Sequence, residues 1–165
     1  MLLLNNDIEK ILLGSLIALL SSTIIEVFKI RLSKKQQVNF FKSTLLEDLS
    51  EICELIHDMR ETHTRTQIID NDYLIEMFEI EKKFSSSRHD NLYLIRKESL
   101  RKEVKTLFKT LNSKIQDSTN KVSTLGEIDA GHNQIITDFN AIETTLKNLI
   151  IEINKYKWCV LLIIW

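Results

Sequence analysis

Residues 11–25 contain no charged residue, and this run constrains the chain more than any other feature of its sequence. Leucine and isoleucine cover every face of a helix drawn through the run, so no polar stripe is left to face water. At 1.5 Å per residue the run covers about 22 Å, and extension to Ile30 gives about 30 Å, the thickness of a hydrocarbon core. We therefore predict a transmembrane helix within residues 1–31.

The residues on either side of the run indicate its orientation. In a cleaved signal peptide, basic residues typically precede the apolar region, whereas residues 5–10 of this chain are net acidic. The basic residues that follow the run are Lys29, Arg31, Lys34, Lys35 and Lys42. Because basic residues mark the cytoplasmic end of a span, we predict the N-terminus outside and the long remainder in the cytoplasm.

Small residues recur every four positions within the predicted span, at Gly14, Ala18 and Ser22, and Glu26 continues the same stripe. Small residues at this spacing allow two helix backbones to approach closely in a membrane. The stripe therefore predicts a face for transmembrane packing or for a pore. The alternative is that Glu26 lies at headgroup level and pairs there with Lys29 or Arg31.

Residues 32–157 have the composition of long helices, because the chain has three glycines and no proline. We predict an all-α fold in which these residues form a cytoplasmic antiparallel helical bundle or coiled coil. The expected elements are a helix continuing to Gln67, a helix over residues 69–84, a polar break at residues 85–91, a helix around residues 100–115 and a loop at residues 123–133.

The last predicted helix has the most regular apolar spacing, alternating steps of four and three. Its helical seam consists of Ile135, Phe139, Ile142, Leu146, Leu149 and Ile153. Such a heptad pattern is typical of a bundle or coiled-coil contact. The spacing allows packing within the chain or against another copy.

The final residues, 158–165, form a second apolar stretch. Lysine and tryptophan next to an apolar run mark a membrane interface, which here consists of Lys155, Lys157 and Trp158. Eight residues are too few to cross a bilayer. We expect either the start of a second, apparently incomplete, membrane segment or a tail that enters one leaflet.

No pattern in the sequence predicts catalysis, a cofactor or a metal site. Glu54 and His57 lie on one helical face, but di-iron helical proteins need a second such pair, and no glutamate stands three residues before His63, His89 or His132. A glycine-rich phosphate loop is also absent from the sequence. We expect a protein that is not an enzyme, uses no catalytic residue, cofactor or metal, and does not bind nucleic acid directly.

In layout the chain resembles small two-span effectors of bacterial anti-phage systems, such as those encoded beside retron reverse transcriptases. The likeness lies in the order of a span, a helical cytoplasmic middle and a second apolar segment. It implies an inner-membrane effector that perturbs the membrane when released or triggered, in abortive infection. The implied partners are the lipid bilayer, further copies of the chain, and a reverse transcriptase with its RNA–DNA hybrid or another sensor protein.

Two other functions fit the same layout. A membrane-tethered helical-bundle sensor is one, although receptors of that layout place the bundle outside, whereas the basic residues here place it inside. A coiled-coil adaptor without pore activity is the other, and it would use the regular seam of the last helix.

Overall fold

A computed structural model describes residues 3–124 and 129–156, with side chains for Ile8, residues 10–122 and residues 131–156. The described residues are helical, which confirms the predicted all-α class, and no strand occurs among them. The elements are α1 (Leu3–Thr66), α2 (Asn71–Lys83), a π-helix (Phe84–Arg88), a 3₁₀-helix (His89–Leu94), α3 (Glu98–Thr124) and α4 (Asp129–Lys155).

Two compact units divide the chain, with the boundary between Asn39 and Phe40. The sequence predicts a boundary after residue 31, about two helical turns earlier. The difference arises because α1 runs through both positions without a break, and neither proline nor glycine follows Gly14 in this helix. Burial changes along α1, since residues 10–30 are almost all exposed and buried positions recur every three or four residues from Phe41 onward.

A short connection reverses the chain between α1 and α2. Gln67 adopts a positive φ of 60°, and its amide donates to the carbonyl oxygen of His63 at 2.8 Å. This left-handed residue closes the last turn of α1, a position that glycine usually occupies. Asp70 then caps α2, because its Oδ1 accepts a hydrogen bond from the amide of Asp72 at 3.0 Å.

The predicted polar break at residues 85–91 separates α2 from α3, and the chain there forms the π-helix and the 3₁₀-helix rather than an irregular loop. The Ser87 hydroxyl donates to the Lys83 carbonyl at 2.6 Å, so this serine supports the turn. The Phe84 ring stacks on Phe108 with 3.6 Å between centroids, which fixes the start of the π-helix on α3.

The predicted loop at residues 123–133 is also too long. Helix α3 continues to Thr124 and α4 begins at Asp129, so only residues 125–128 lie outside the described elements. Gly131 lies within α4 because a glycine weakens a helix by only about 1 kcal/mol relative to alanine.

The second unit encloses one hydrophobic core to which α1, α2, α3 and α4 all contribute. Side chains with no exposed surface include Leu45, Ile56, Leu74, Leu111 and Phe139. Each helix supplies apolar residues at steps of three or four, which is the spacing that places them on one face. Burial of these side chains is the main favourable contribution to folding of this unit.

Replacing the buried Ile153 with alanine is expected to destabilise the protein by about 2–5 kcal/mol, because contacts are lost and a cavity remains. Ile151 is the matched control, being the same residue type on the same helix but 51% exposed, against 0% for Ile153. Ile151→Ala is expected to lower the free energy of unfolding by less than about 1 kcal/mol. Urea unfolding of the full chain in detergent, followed by circular dichroism, measures both, and equal losses would contradict this assignment of the core.

Candidate functional site

The apolar segment of α1, residues 11–28, exposes its side chains on every face. Leu12 is 64% exposed, Leu19 67% and Ile24 55%. Among the described residues α1 is the one helix long and apolar enough to cross a membrane, and its apolar window has no buried residue. Its length and composition also suit a signal sequence. Apolar surface of this extent is rare on soluble monomers and marks contact with a membrane or a partner.

Hydroxyl groups inside this segment bond to its own backbone. Ser15, Ser21 and Thr23 each donate to the carbonyl oxygen four residues earlier, and each oxygen–oxygen distance is 2.8 Å. A polar group in hydrocarbon requires such a partner, because no water is there to replace it. These three hydroxyls are therefore compatible with burial in lipid.

The small-residue stripe Gly14, Ala18, Ser22 and Glu26 is exposed along its length. A Cβ atom added at Gly14 would meet nothing within 4 Å. The side chains of Ser22 and Glu26 have no hydrogen-bond or ion-pair partner in the described part of the chain, and Glu26 pairs with neither Lys29 nor Arg31 there. The stripe thus combines open space at Gly14 with two polar side chains that have no hydrogen-bond or ion-pair partner among the described residues.

The predicted seam of α4 lies inside the core of the second unit. Ile135, Phe139, Leu146 and Ile153 are 0% exposed, while Ile142 is 5% and Leu149 is 2% exposed. All six belong to the same core cluster as residues of α1, α2 and α3. The seam therefore packs within this chain and is not available as a surface for a second copy.

The predicted C-terminal interface lies mostly outside the described residues. Lys155 is the last residue of α4 and is exposed. Lys157, Trp158 and the apolar stretch 158–165 are not among the residues that the structure describes.

Charged side chains join α1 to α4 at the edge of the core. Arg60 Nη1 donates to Glu143 Oε2 at 2.9 Å and to Asn140 Oδ1 at 3.3 Å. Lys147 Nζ donates to the other oxygen of Glu143 at 2.6 Å. The hydrogen bond from Lys147, aided by the charge of Arg60, lowers the pKa of Glu143, whose side chain is 7% exposed.

A second ion pair joins Asp48 on α1 to Arg88 at the end of the π-helix, and both side chains are largely buried. Burial lowers the pKa of Arg88. Sequence reasoning missed this pair and that of Arg60 with Glu143, because 40 and 83 residues separate the partners and no local spacing connects them. Removing one partner of a buried pair such as Asp48 and Arg88 leaves the other charge uncompensated, which favours the helix alignment that keeps the pair together.

The histidines make structural contacts. His57 Nδ1 lies 2.9 Å from Arg60 Nη2. His63 and His132 are buried with ring centroids 6.2 Å apart, edge to face, and His132 Nδ1 donates to the Gln67 carbonyl at 3.2 Å. Within the described ranges no group of three or more histidine, cysteine, aspartate or glutamate side chains is arranged to hold a metal.

The candidate functional site is therefore the exposed apolar segment of α1 with its small-residue stripe, and the second unit is a packed helical domain with ionic contacts between its helices. Comparison of the chain with known protein families, with curated proteins and with solved structures found no match.

Glu143→Gln is expected to lower the free energy of unfolding at neutral pH. Acidification is then expected to lower the free energy of unfolding of this variant by less than that of the wild type. The folded chain lowers the pKa of Glu143 from 4.5, so near that pH the unfolded chain binds more protons. The carboxylate contributes stability above the unfolded pKa, and that stability is lost as pH falls through the folded pKa.

Urea unfolding of the full chain at a series of pH values from about 7 to about 3 measures this effect. Glu76→Gln is the control, since Glu76 is exposed and on α2. If the free energy of unfolding of Glu143→Gln decreased between about pH 7 and about pH 3 as much as that of the wild type, the contribution assigned to Glu143 would be contradicted.

Proposed function

We propose that this protein is a membrane-anchored helical effector of the bacterial inner membrane, which perturbs that membrane when released or triggered, in anti-phage abortive infection. The observation that carries the proposal is the small-residue stripe of α1. It offers an exposed surface with two polar groups, Ser22 and Glu26, that have no partner in the described part of their own chain.

The length of the exposed segment supports a span. Residues 11–28 cover about 27 Å along the helix, close to the thickness of a hydrocarbon core. Glu26 then lies near one end of the core, within a few ångströms of the headgroups. The basic residues that follow it favour the cytoplasmic side for the remainder of the chain, with the N-terminus outside.

Association through the stripe gives Ser22 and Glu26 the partners they lack. Lipid-embedded helices attract one another where small residues permit close backbone contact and polar side chains bond across the interface. A glutamate is rare in a span and almost always faces a bundle interior or water. An oligomer built on this face would place Glu26 at its axis, where polar groups admit water and ions.

The second unit supports the proposed cytoplasmic antiparallel bundle. Lys97 pairs with Glu152 and Lys114 with Asp138, so residue numbers fall on α4 as they rise on α3. The same holds between α1 and α4, where Arg60 contacts Glu143 and Gln67 contacts His132. Such a domain suits binding of a sensor, and the layout resemblance names a reverse transcriptase with its RNA–DNA hybrid as one candidate.

A tethered sensor or adaptor is the second candidate. It is favoured by the well-packed core of the second unit, because a folded helical domain of this kind can bind a partner without any activity in the membrane. An adaptor that self-associates through the α4 seam is disfavoured, because that seam is buried in the chain's own core.

Expression of the full chain without a partner is expected to depolarise bacterial cells, and Gly14→Leu or Glu26→Leu is expected to abolish the depolarisation. A Cβ atom added at Gly14 meets nothing within 4 Å in the described part of the chain, so a leucine there is expected to act on a neighbouring helix. A potential-sensitive dye in growing cells gives the measurement.

Thr23→Leu is the matched control, because Thr23 lies in the same segment but about 120° around the helix from the middle of the stripe. This variant is expected to depolarise cells as the wild type does. Membrane fractionation shows whether each variant is inserted. Full insertion of the wild type without depolarisation would contradict the effector and favour the sensor or adaptor.

An introduced cysteine at Ser86 is expected to resist an impermeant maleimide in intact cells, because the proposal places the second unit in the cytoplasm. Cys53 is a poor probe, since it is half-buried and burial raises the pKa of its thiol, which leaves little reactive thiolate. Ser86 is exposed. The chain for this test therefore carries Cys53→Ser, Cys159→Ser and Ser86→Cys.

Asn6→Cys in the same cysteine-free chain is the control for the outside face, and labelling of intact cells is expected there. Permeabilised cells should be labelled at both positions. Labelling at Ser86→Cys in intact cells would contradict the cytoplasmic location of the second unit.

A further inference from the structure

The cations directly after the apolar segment, which favour the proposed orientation, also form a charged surface whose ligand the proposed function does not name. We call Lys29, Arg31, Lys34 and Lys35 the basic collar. No acidic residue occurs between Glu26 and Glu47, so the collar carries net positive charge without compensation along the helix. All four residues lie in the first unit.

The four cations of the collar have no ion pair within the described ranges. Lys29, Lys34 and Lys35 are exposed. Three lysines of the second unit do have carboxylate partners at another helix position, namely Lys97 with Glu152, Lys114 with Asp138 and Lys147 with Glu143. The charge of the collar is thus available to an anion from outside the chain.

Arg31 adds a second, independent observation. Its guanidinium carbon lies 5.9 Å from the centroid of the Phe28 ring, so the side chain folds back toward the apolar segment. Its Nε atom is buried and has no hydrogen-bond acceptor among the described residues. A buried N–H group without an acceptor is unfavourable, and guanidinium groups bond phosphate oxygens in pairs.

The position of the collar along the helix matches one layer of a bilayer. Residues 29–35 cover about 9 Å from the end of the apolar segment, and a headgroup layer is about 5–8 Å thick on each side of the hydrocarbon. With 100° between successive residues, Lys29 lies on one side of the helix and Arg31, Lys34 and Lys35 on the other. The collar therefore meets headgroups around the helix.

We propose that the basic collar binds the phosphate groups of anionic phospholipids and so fixes the depth of α1 in the membrane. This inference rests on the proposed function only in requiring that the apolar segment lies in a bilayer. Phosphodiesters of an anionic lipid supply counter-charge for the guanidinium group of Arg31 and for the three lysines. Each cation near an anionic surface increases binding about fivefold, so the collar selects anionic over zwitterionic lipid.

The test uses the full chain reconstituted in vesicles of equal phosphatidylcholine and phosphatidylglycerol. Native mass spectrometry of the protein released from them counts the lipids that stay bound. The wild type is expected to retain phosphatidylglycerol several-fold over phosphatidylcholine at low salt, with a smaller ratio at about 1 M salt because screening weakens exposed charge pairs.

Lys29→Gln, Lys34→Gln and Lys35→Gln together are expected to bring the lipid ratio close to one. The matched control removes the same charge from α3, with Lys102→Gln, Lys105→Gln and Lys109→Gln, all exposed positions. This control is expected to keep the wild-type ratio. Arg31 is left in place in both chains because of its contact with Phe28.

Carbonate extraction of the same vesicles separates this inference from the proposed function. Insertion without preference for phosphatidylglycerol, or a preference that the collar variant keeps, overturns the collar as a lipid site while the span stands. Failure of the wild type to insert overturns the span and the collar together. Capture of RNA by chain inserted in pure phosphatidylcholine, without phosphatidylglycerol preference, identifies nucleic acid as the partner and also overturns the inference.

Discussion

Solvation of the apolar segment of α1 by water is unfavourable, and the proposed placement of the first unit depends on that constraint. Residues 11–28 expose leucine, isoleucine and phenylalanine around the whole helix. Packing one face of this helix against a soluble domain would therefore leave apolar side chains on the other faces in contact with water. The hydroxyls of Ser15, Ser21 and Thr23 bond to their own helix, which removes the main cost of placing them in lipid. Ser22 and Glu26 are then the polar groups left for contact with something else.

The second unit obeys a different physical rule. Its helices bury one apolar face each in a common core, while charged residues remain at the surface or pair at the edge of the core. The pair of Arg60 with Glu143 connects α1 to α4, and that of Asp48 with Arg88 connects α1 to the π-helix. Because breaking one partner of a buried pair leaves an uncompensated charge, such contacts hold the alignment of the helices.

The two halves of α1 have different surroundings. Its first half carries the surface proposed for membrane contact and association, and its second half supplies Leu45, Leu49 and Ile56 to the core. The basic collar lies on α1 between the apolar segment and the residues that enter the core. In the proposed effector, release by a partner of the second unit and association in the membrane would therefore act on the same continuous helix.

Local pattern allowed much of the fold to be predicted. The uninterrupted apolar run, the lack of proline and the apolar spacing on α4 each reflect interactions within a few residues, so the all-helical class and the α4 face follow from the sequence. The break expected at residues 85–91 does separate α2 from α3, but its polar composition resembles that of a loop and did not indicate the helical turns within it. Ser87 instead bonds to the Lys83 carbonyl, and the stacking of Phe84 on Phe108 fixes the turn from a distant helix.

The sequence by itself determined where the chain is apolar, where it is basic and which residues share a helical face, because these properties depend only on residue order and helical period. Only the tertiary structure decided what each face meets. It placed the α4 seam against the chain's own core, joined Arg60 to Glu143 across 83 positions, and left the Ser22 and Glu26 side chains without a partner in the described residues. Those outcomes depend on contacts between residues far apart in the chain, which no local spacing encodes.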